Sequence, residues 1–289
     1  GVAGLILARD CPYSFLSHNS KEHRMKKFVP LLGLLVLSAF LAVSCANASG
    51  DNSLADIKKK GSFVLGLDDN FPPMGFRDEA GAITGFDIDL ATEAAKRLGV
   101  TVTPQPVAWD GIILSLNKKD IDVIWNGLTI TEERAKQIGF SKPYLQNRQI
   151  IVVKAGSAGA TKAYLNGKLV GLQQGSSSET ALNADAETAK TLKEVRKFPD
   201  NVVALMDLAA GRVDAVVVDE IVGRYYIAKK PGEYQVLDDN FGTESYGVGY
   251  RLTDASFGAE LDKVLEEMKK DGSAAEISKK WFGEDILVK

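Results

Sequence analysis

The sequence predicts an α/β protein of two lobes, each a parallel sheet flanked by helices, with two strands crossing between them. Three observations carry this prediction. Short apolar runs alternate with helix-patterned stretches from residue 62 onward, the arrangement that right-handed crossovers onto a parallel sheet produce. The alternation occurs twice, in units of about a hundred residues. Each unit contains the end of a helix, a short polar turn and an apolar strand, as KKDIDVIWNG (118–127) and AGRVDAVVVD (210–219). No Pro/Gly/Ser-rich linker separates the units; the connections YLQNRQIIVVK (144–154) and ESYGVGYR (244–251) are themselves strand-like.

In chain order, the first feature is a leader. Met25-Lys26-Lys27 precedes Phe28 to Val43, a run without charge. This reads as the positive n-region and apolar h-region of an export signal, too short for a spanning helix and without the polar face of a core helix. Gly1 to Arg24 reads as extraneous or upstream sequence. Two cleavage sites fit. Ala42-Val43-Ser44-Cys45 resembles a bacterial lipobox, whose cysteine is lipidated and becomes the new N-terminus; the pattern prefers Leu where Ala42 stands. Ordinary cleavage after Ala46-Asn47-Ala48 is the rival. Lipidation is favoured, because a cysteine directly after an h-region has little other explanation.

Removal of the leader excludes much chemistry. Both histidines (His18, His23) and both cysteines (Cys11, Cys45) lie in or before its end. A chain starting at Cys45 has no nucleophile–histidine pair, no His or Cys metal site and no structural disulfide. It also loses five basic but only two acidic residues, so its net charge moves further negative than the −3 of the whole sequence. That balance gives no basic surface for nucleic acid. At 45% hydrophobic and 25% charged residues the composition is that of an ordinary globular protein.

The elements of the first unit follow. SFVLGL (62–67) is a strand. FDIDLATEAAKRLG (86–99) puts Ile88, Ala91, Ala95 and Leu98 on one helical face and stops at Gly99. VTVTPQPV (100–107) is a strand whose prolines argue for an edge or an end. WDGIILSLNKKD (109–120) is a helix and IDVIWNG (121–127) a third strand. In the second unit KLVGLQQG, VRKF, VDAVVVD and YQVL are strands. The helices between them are SSSETALNA, VVALMDLAAGR and EIVGRYYIAKK. Phe257–Lys270 and Ala274–Trp281 form a helical tail with Leu261, Val264, Leu265 and Met268 at core spacing.

Ligands of such folds collect beyond the carboxyl ends of the strands. Those ends carry Asp68 and then Phe71 of NFPP; Asn126, Gly127 and Thr129, with Arg134 beyond; Gln173 to Ser178; and Asp219. Each has a plainer reading. Asp68 fits a turn cap, Phe71 and Trp109 fit core positions, GSSSE fits an N-cap cluster, and Asp219 fits a cap for the helix starting at Glu220. Arg134 raises a sharper question. Thr131 is a good N-cap and Glu132 and Glu133 suit the first helical turn, but a cation there opposes the dipole. Either Arg134 pairs with Glu132 or Glu133 on the surface, or it and the helix end aim at an anion such as a ligand carboxylate. Taken together, the residues set an arginine and a polar helix start on one lobe against an acid and a second polar helix start on the other. That layout suits a zwitterion.

LGLDDNFPPMGFRDEAGAITGFDIDLATEAAKRLG, NGLTITEERAKQIGFSKPY, AGRVDAVVVDE and DGSAAEISKKWFG closely resemble the polar-amino-acid-binding proteins of bacterial ABC importers, over about residues 54 to 284 and in family order. The resemblance implies the type II periplasmic-binding (Venus-flytrap) fold. Residues 52–146 and 247–289 would form lobe 1 and 147–246 lobe 2, hinged by two crossing strands and closing on an L-amino acid. It further implies that Arg134 grips the ligand α-carboxylate, helped by Thr129 and a backbone N–H around Ser177. Asp219 would bind the α-ammonium near the Gly127 carbonyl and the Thr129 hydroxyl. Phe71 and Trp109 would wall the aliphatic portion, and Asp68 would meet the polar end of the ligand side chain.

Two departures concern selectivity. Gln173 stands where some members have an aliphatic residue and a glutamine-selective one has lysine, and Asn126 stands where histidine- and arginine-type binders often have serine. Asp68 in a pocket with few cations favours a basic or amide side chain over glutamate or aspartate. The resulting expectation is a bacterial, extracytoplasmic, lipid-anchored monomer that delivers a free L-amino acid to ABC permease subunits, with no cofactor, no metal and no enzymatic activity. The alternatives are a dehydratase of the same fold acting on a prephenate-like acid, and the sensing subunit of a signalling receptor.

Overall fold

In the computed structural model, which describes residues 50–289, the first element is α1 (Ser53–Lys60). The leader, Cys45 and residues 1–24 lie outside the described residues. Gly61 closes α1 in the left-handed conformation (φ 74°) and β1 (Ser62–Leu67) follows. Next comes an excursion that the sequence pattern did not reveal: β2 (Asn70–Phe71), β3 (Gly75–Arg77) and β4 (Ile83–Thr84) form a separate antiparallel sheet. α2 (Phe86–Leu98) buries Ile88, Ala91, Ala95 and Leu98 and ends at Gly99 with φ 73°. β5 (Thr101–Pro106) pairs in parallel with β1, Ser62 opposite Thr101.

A 3₁₀ turn over Trp109–Gly111 leads into α3 (Ile112–Asn117), so the expected helix is regular only in its second half. β6 (Val123–Ile124) is much shorter than IDVIWNG. The strand ends early because Gly127 takes a positive φ of 57° and carries Asn126 to Thr129 out of the sheet toward the cleft. α4 (Glu132–Ala135) is a single turn capped by Thr131, and β7 (Gly139–Phe140) completes this stretch.

β8 (Leu145–Lys154) crosses to the second lobe. There β9 (Leu169–Gln173), α5 (Ser177–Ala184), α6 (Ala186–Ala189), β10 (Glu194–Phe198), α7 (Asn201–Ala209), β11 (Ala215–Asp219) and α8 (Glu220–Lys229) follow. β12 (Tyr234–Tyr246) returns beside β8, and β13 (Gly249–Tyr250), α9 (Ala255–Lys270) and α10 (Ser273–Phe282) finish the chain.

The two large sheets run β5-β1-β6-β13-β7 and β10-β9-β11-β8-β12. Their first three strands are parallel, with β5 at an edge, one of the two places its prolines allowed. The expectation of wholly parallel sheets is corrected: β13, β7, β8 and β12 pair antiparallel. The parallel rule follows from helical crossovers, and the two strands that run against both their neighbours, β8 and β13, instead arrive from the other lobe. The tail helix α9 buries Phe257, Leu261, Val264, Leu265 and Met268 against α1 and α2, closing the first lobe's core. Among the described residues no helix is long and apolar enough to cross a membrane, and no group of three metal-ligating side chains occurs.

Candidate functional site

β11 is buried along its whole length, and its carboxyl end delivers Asp219, 3% exposed, to the face where the lobes meet. Asp219 precedes α8, yet its carboxylate makes no capping bond there. Oδ1 instead accepts from Tyr246 Oη (2.6 Å), Asn147 Nδ2 (2.8 Å) and Gln149 Nε2 (3.0 Å). The helix-cap reading of Asp219 is therefore wrong. All three donors are neutral. Burial first, and the charge of Glu244 second, push the Asp219 carboxyl up to about 8.

Arg134 comes from the other lobe. Its backbone N–H donates to the Thr131 hydroxyl at 3.1 Å, which completes the one-turn helix. Its guanidinium turns back from that helix: Nη1 donates to the Thr129 carbonyl (2.9 Å), Nη2 to the Gly175 carbonyl across the cleft (3.2 Å), and Cζ lies 5.8 Å from the Trp109 ring centre. Among the described residues it forms no ion pair, so the surface-pairing alternative with Glu132 or Glu133 fails. The anion-at-helix-end reading needs correcting too, because four residues build almost no dipole. Burial lowers the Arg134 pKa, and the carboxylates of Glu244 and Asp219 offset part of that cost.

Thr129 and Ser177 meet between these two groups. Thr129 Oγ1 lies 3.0 Å from Ser177 Oγ and 2.8 Å from Glu244 Oε1. Ser176, rather than Ser177, caps α5, which leaves the Ser177 hydroxyl free for the cleft. The glycine at 127 is a steric requirement. A Cβ there would lie 2.8 Å from the Phe71 ring, and its N–H is held by Asp87 Oδ2 at 2.7 Å.

The remaining expected residues form a second group. Phe71 and Trp109 are parallel within 3°, with centroids 6.4 Å apart. Phe71 is 5% exposed and belongs to one core cluster, and Trp109 is partly buried against a second cluster. Asp68 serves two partners at once. Oδ1 accepts from the Asn70 N–H (2.9 Å), as a turn cap would, and Oδ2 accepts from Gln173 Nε2 of the other lobe (2.7 Å). Burial raises its carboxyl to about 6. Gln173 is fixed in turn by the Pro199 carbonyl and by Asn201 Nδ2. Asn126 is 1% exposed and accepts from the Asp68 N–H at 3.1 Å, so it supports Asp68 from behind. A cavity of about 520 Å³ adjoins the site at Trp109 and Arg134 but reaches neither Asp68 nor Asp219.

Sequence reasoning missed Asn147, Gln149, Glu244, Tyr246 and Asn201. A signal existed for the first four. Asn147 and Gln149 alternate on one face of β8, and Glu244 and Tyr246 do so on β12, a period-two polar pattern on strands read only as connectors.

Two α/β lobes joined by a pair of antiparallel crossing strands, with polar side chains from both converging between them, define the type II periplasmic-binding fold. The chain belongs to the bacterial extracellular solute-binding proteins, family 3, whose family model matches residues 63–284. It is 32% identical over 258 residues to the L-cystine-binding protein TcyJ of Escherichia coli K12, covering 89% of this chain and 96% of that protein. It is 33% identical over 257 residues to the lysine/arginine/ornithine-binding periplasmic protein of the same organism, covering 86% and 96%. Among solved structures, an ABC uptake transporter substrate-binding protein of Streptococcus pneumoniae with bound histidine superposes with a TM-score of 0.81 at 36% identity, over 84% of this chain and all of that one.

Proposed function

We propose that the protein binds a polar L-amino acid, with a basic or amide side chain, between lobes formed by residues 52–146 with 247–289 and by 147–246, and hands it to the transmembrane subunits of an ABC importer. One observation carries the reading. Arg134 and Asp219 approach the same cluster from opposite lobes, and among the described residues neither meets an oppositely charged side chain at ion-pair distance. A zwitterion supplies both missing charges. In this reading Arg134 takes the α-carboxylate with Thr129 and the Ser177 backbone. Asp219 takes the α-ammonium with the Gly127 carbonyl and Thr129 hydroxyl, and Phe71 and Trp109 flank the aliphatic portion. Asp68, buried beside Gln173, meets the far end. The cations nearest in sequence on either side, Lys60 and Arg77, are already paired with Asp122 at 3.1 Å and Asp69 at 2.6 Å, so a basic group fits there and a carboxylate does not.

The protein acts extracytoplasmically as a monomer, held by lipid on Cys45, and performs no catalysis. Residues 50–289 contain neither histidine nor cysteine, so the dehydratase alternative would have to use a carboxylate such as Asp68. Phenylalanine or phenylpyruvate formed from a prephenate-like acid would reveal it. Calorimetry across the twenty amino acids tests the binding reading. Removing one member of a buried charge pair costs ~2–5 kcal/mol, roughly 30- to 4,000-fold in affinity. Arg134→Ala and Asp219→Ala are each expected to lose that much while melting cooperatively. Near-native affinity in either variant removes that residue from the site.

A further inference from the structure

Glu244 has no part in the roles assigned so far, yet it occupies the centre of the α-group cluster. It projects from β12, the returning crossing strand, and its Oε1 lies 2.8 Å from Thr129 Oγ1, Asn147 Nδ2 and Gln149 Nε2, and 3.3 Å from Ser177 Oγ. Two of these donors, Asn147 Nδ2 and Gln149 Nε2, are the same atoms that serve Asp219 Oδ1. Two carboxylates thus share one pair of amide groups. A second observation points the same way: Asn147 is 6% exposed, and its Oδ1, an acceptor, is buried without any partner. Surplus acceptors and an unused amide oxygen call for a donor with several N–H groups.

We propose that Glu244 is the second carboxylate of the ammonium subsite, and that the incoming ammonium displaces a proton held on Asp219 beside it. The inference rests on the amino-acid reading above and adds to it a residue and a proton. In the free protein Asp219 is buried and shares its amide donors with the half-buried Glu244, and both the burial and that neighbouring charge oppose its ionisation. Burial and the Glu244 charge raise the Asp219 carboxyl to about 8, which agrees with the geometry. The other titratable groups facing the pair are Arg134 from α4, Tyr246 from β12, and Tyr144 behind Tyr246, with Glu133 beyond Arg134. Arg134 is the cation among them, and its positive charge is the one the ligand carboxylate engages. The ammonium brings the charge that lets Asp219 ionise beside Glu244, and the displaced proton passes to solvent.

The test is calorimetry with L-arginine, or L-glutamine if arginine fails to bind, between pH 6.5 and 7.5 in two buffers of different ionisation enthalpy. Wild-type protein is expected to release close to one proton per ligand, and its affinity to rise about tenfold per pH unit. Glu244→Gln removes the neighbouring charge but not the burial of Asp219, so the pH slope and the buffer-dependent heat are both expected to shrink while affinity at pH 7.5 falls. Asp68 is present in both proteins, and its own titration cancels in the comparison. A Glu244→Gln protein that keeps the full slope overturns the proposal, as does a wild type that releases no proton. Tighter binding by the variant also overturns it, making Glu244 a competitor for the Thr129 and Ser177 donors. If none of the twenty amino acids binds wild type, the amino-acid reading itself fails and this inference falls with it.

Discussion

Behind the site, Asp87 holds the Gly127 N–H at 2.7 Å and the Tyr144 hydroxyl at 3.0 Å with Oδ2, while its Oδ1 has no partner. Burial raises this carboxyl from 3.8 to about 7, against the bonds from Gly127 and Tyr144. The sign of the consequence follows from where the proton is held. Below about pH 4 the group is protonated whether the chain is folded or not, and it costs the fold nothing. Between 3.8 and about 7 only the unfolded chain ionises freely, so the burden on the fold grows with pH; above about 7 it is constant. Asp87→Asn keeps an acceptor for Gly127 and cannot ionise. Its melting temperature relative to wild type is expected to climb between pH 4 and 7 and then level off, as a series of melts in matched buffers will show. A difference independent of pH would mean that Asp87 is not ionising in this range.

Among the secondary-structure elements, α9 shows how packing overrides propensity. Gly258 sits in its first turns, where a Cβ would run into the Tyr250 ring, and Gly139 on β7 faces that ring too. The Tyr250 ring lies in the space that these two missing side chains leave, and its hydroxyl bonds the Phe140 carbonyl at 3.2 Å. Helix propensity alone favours Ala over Gly by about 1 kcal/mol, whereas overpacking costs about 1–3 kcal/mol. Gly258→Ala is therefore expected to destabilise, with an unchanged denaturant slope in urea unfolding and ligand affinity within about twofold of wild type. A stabilised variant would show that the ring can move aside. The one-turn α4 is a different case. Thr131 fixes it as a cap, and its length makes it a mount for Arg134 rather than a source of field.

For the whole molecule, the lobes are latched by polar contacts that lie on and around the site. Asp68 receives Gln173 at 2.7 Å, Thr129 meets Ser177 at 3.0 Å, Gln174 reaches Asp110 at 3.2 Å and Asn70 reaches Asp200 at 3.4 Å. A ligand that touches both lobes favours this arrangement in proportion to its extra contacts there. In small-angle scattering, a preferred basic or amide amino acid is expected to compact the protein and glutamate is not, because its carboxylate would face Asp68. Asp68→Asn is expected to weaken a cationic ligand most and an amide ligand less. Glutamate binding best, or a preferred ligand that leaves the profile unchanged, would return Asp68 to its turn-cap role.

The sequence by itself determined what is local. Apolar period and glycine stops marked β1, α2 and β11, the prolines put β5 at an edge or an end, and the carboxyl ends of β1, β6, β9 and β11 named Asp68, Thr129, Ser177 and Asp219. Sidedness in an α/β unit follows from short-range chain geometry, so these positions could be read without knowing what faced them. Partners could not. Asp219 preceding a helix looks like a cap until the fold offers it Asn147, Gln149 and Tyr246, and Arg134 beside two glutamates looks paired until the fold turns it toward Gly175. Glu244 and Asn147 stand 97 residues apart on strands that pattern alone marks only as connections. Only the tertiary structure, by pairing β8 with β12 in register, brought their polar faces together, because a hydrogen-bond partner is chosen by which surfaces the fold apposes and not by the residues next along the chain.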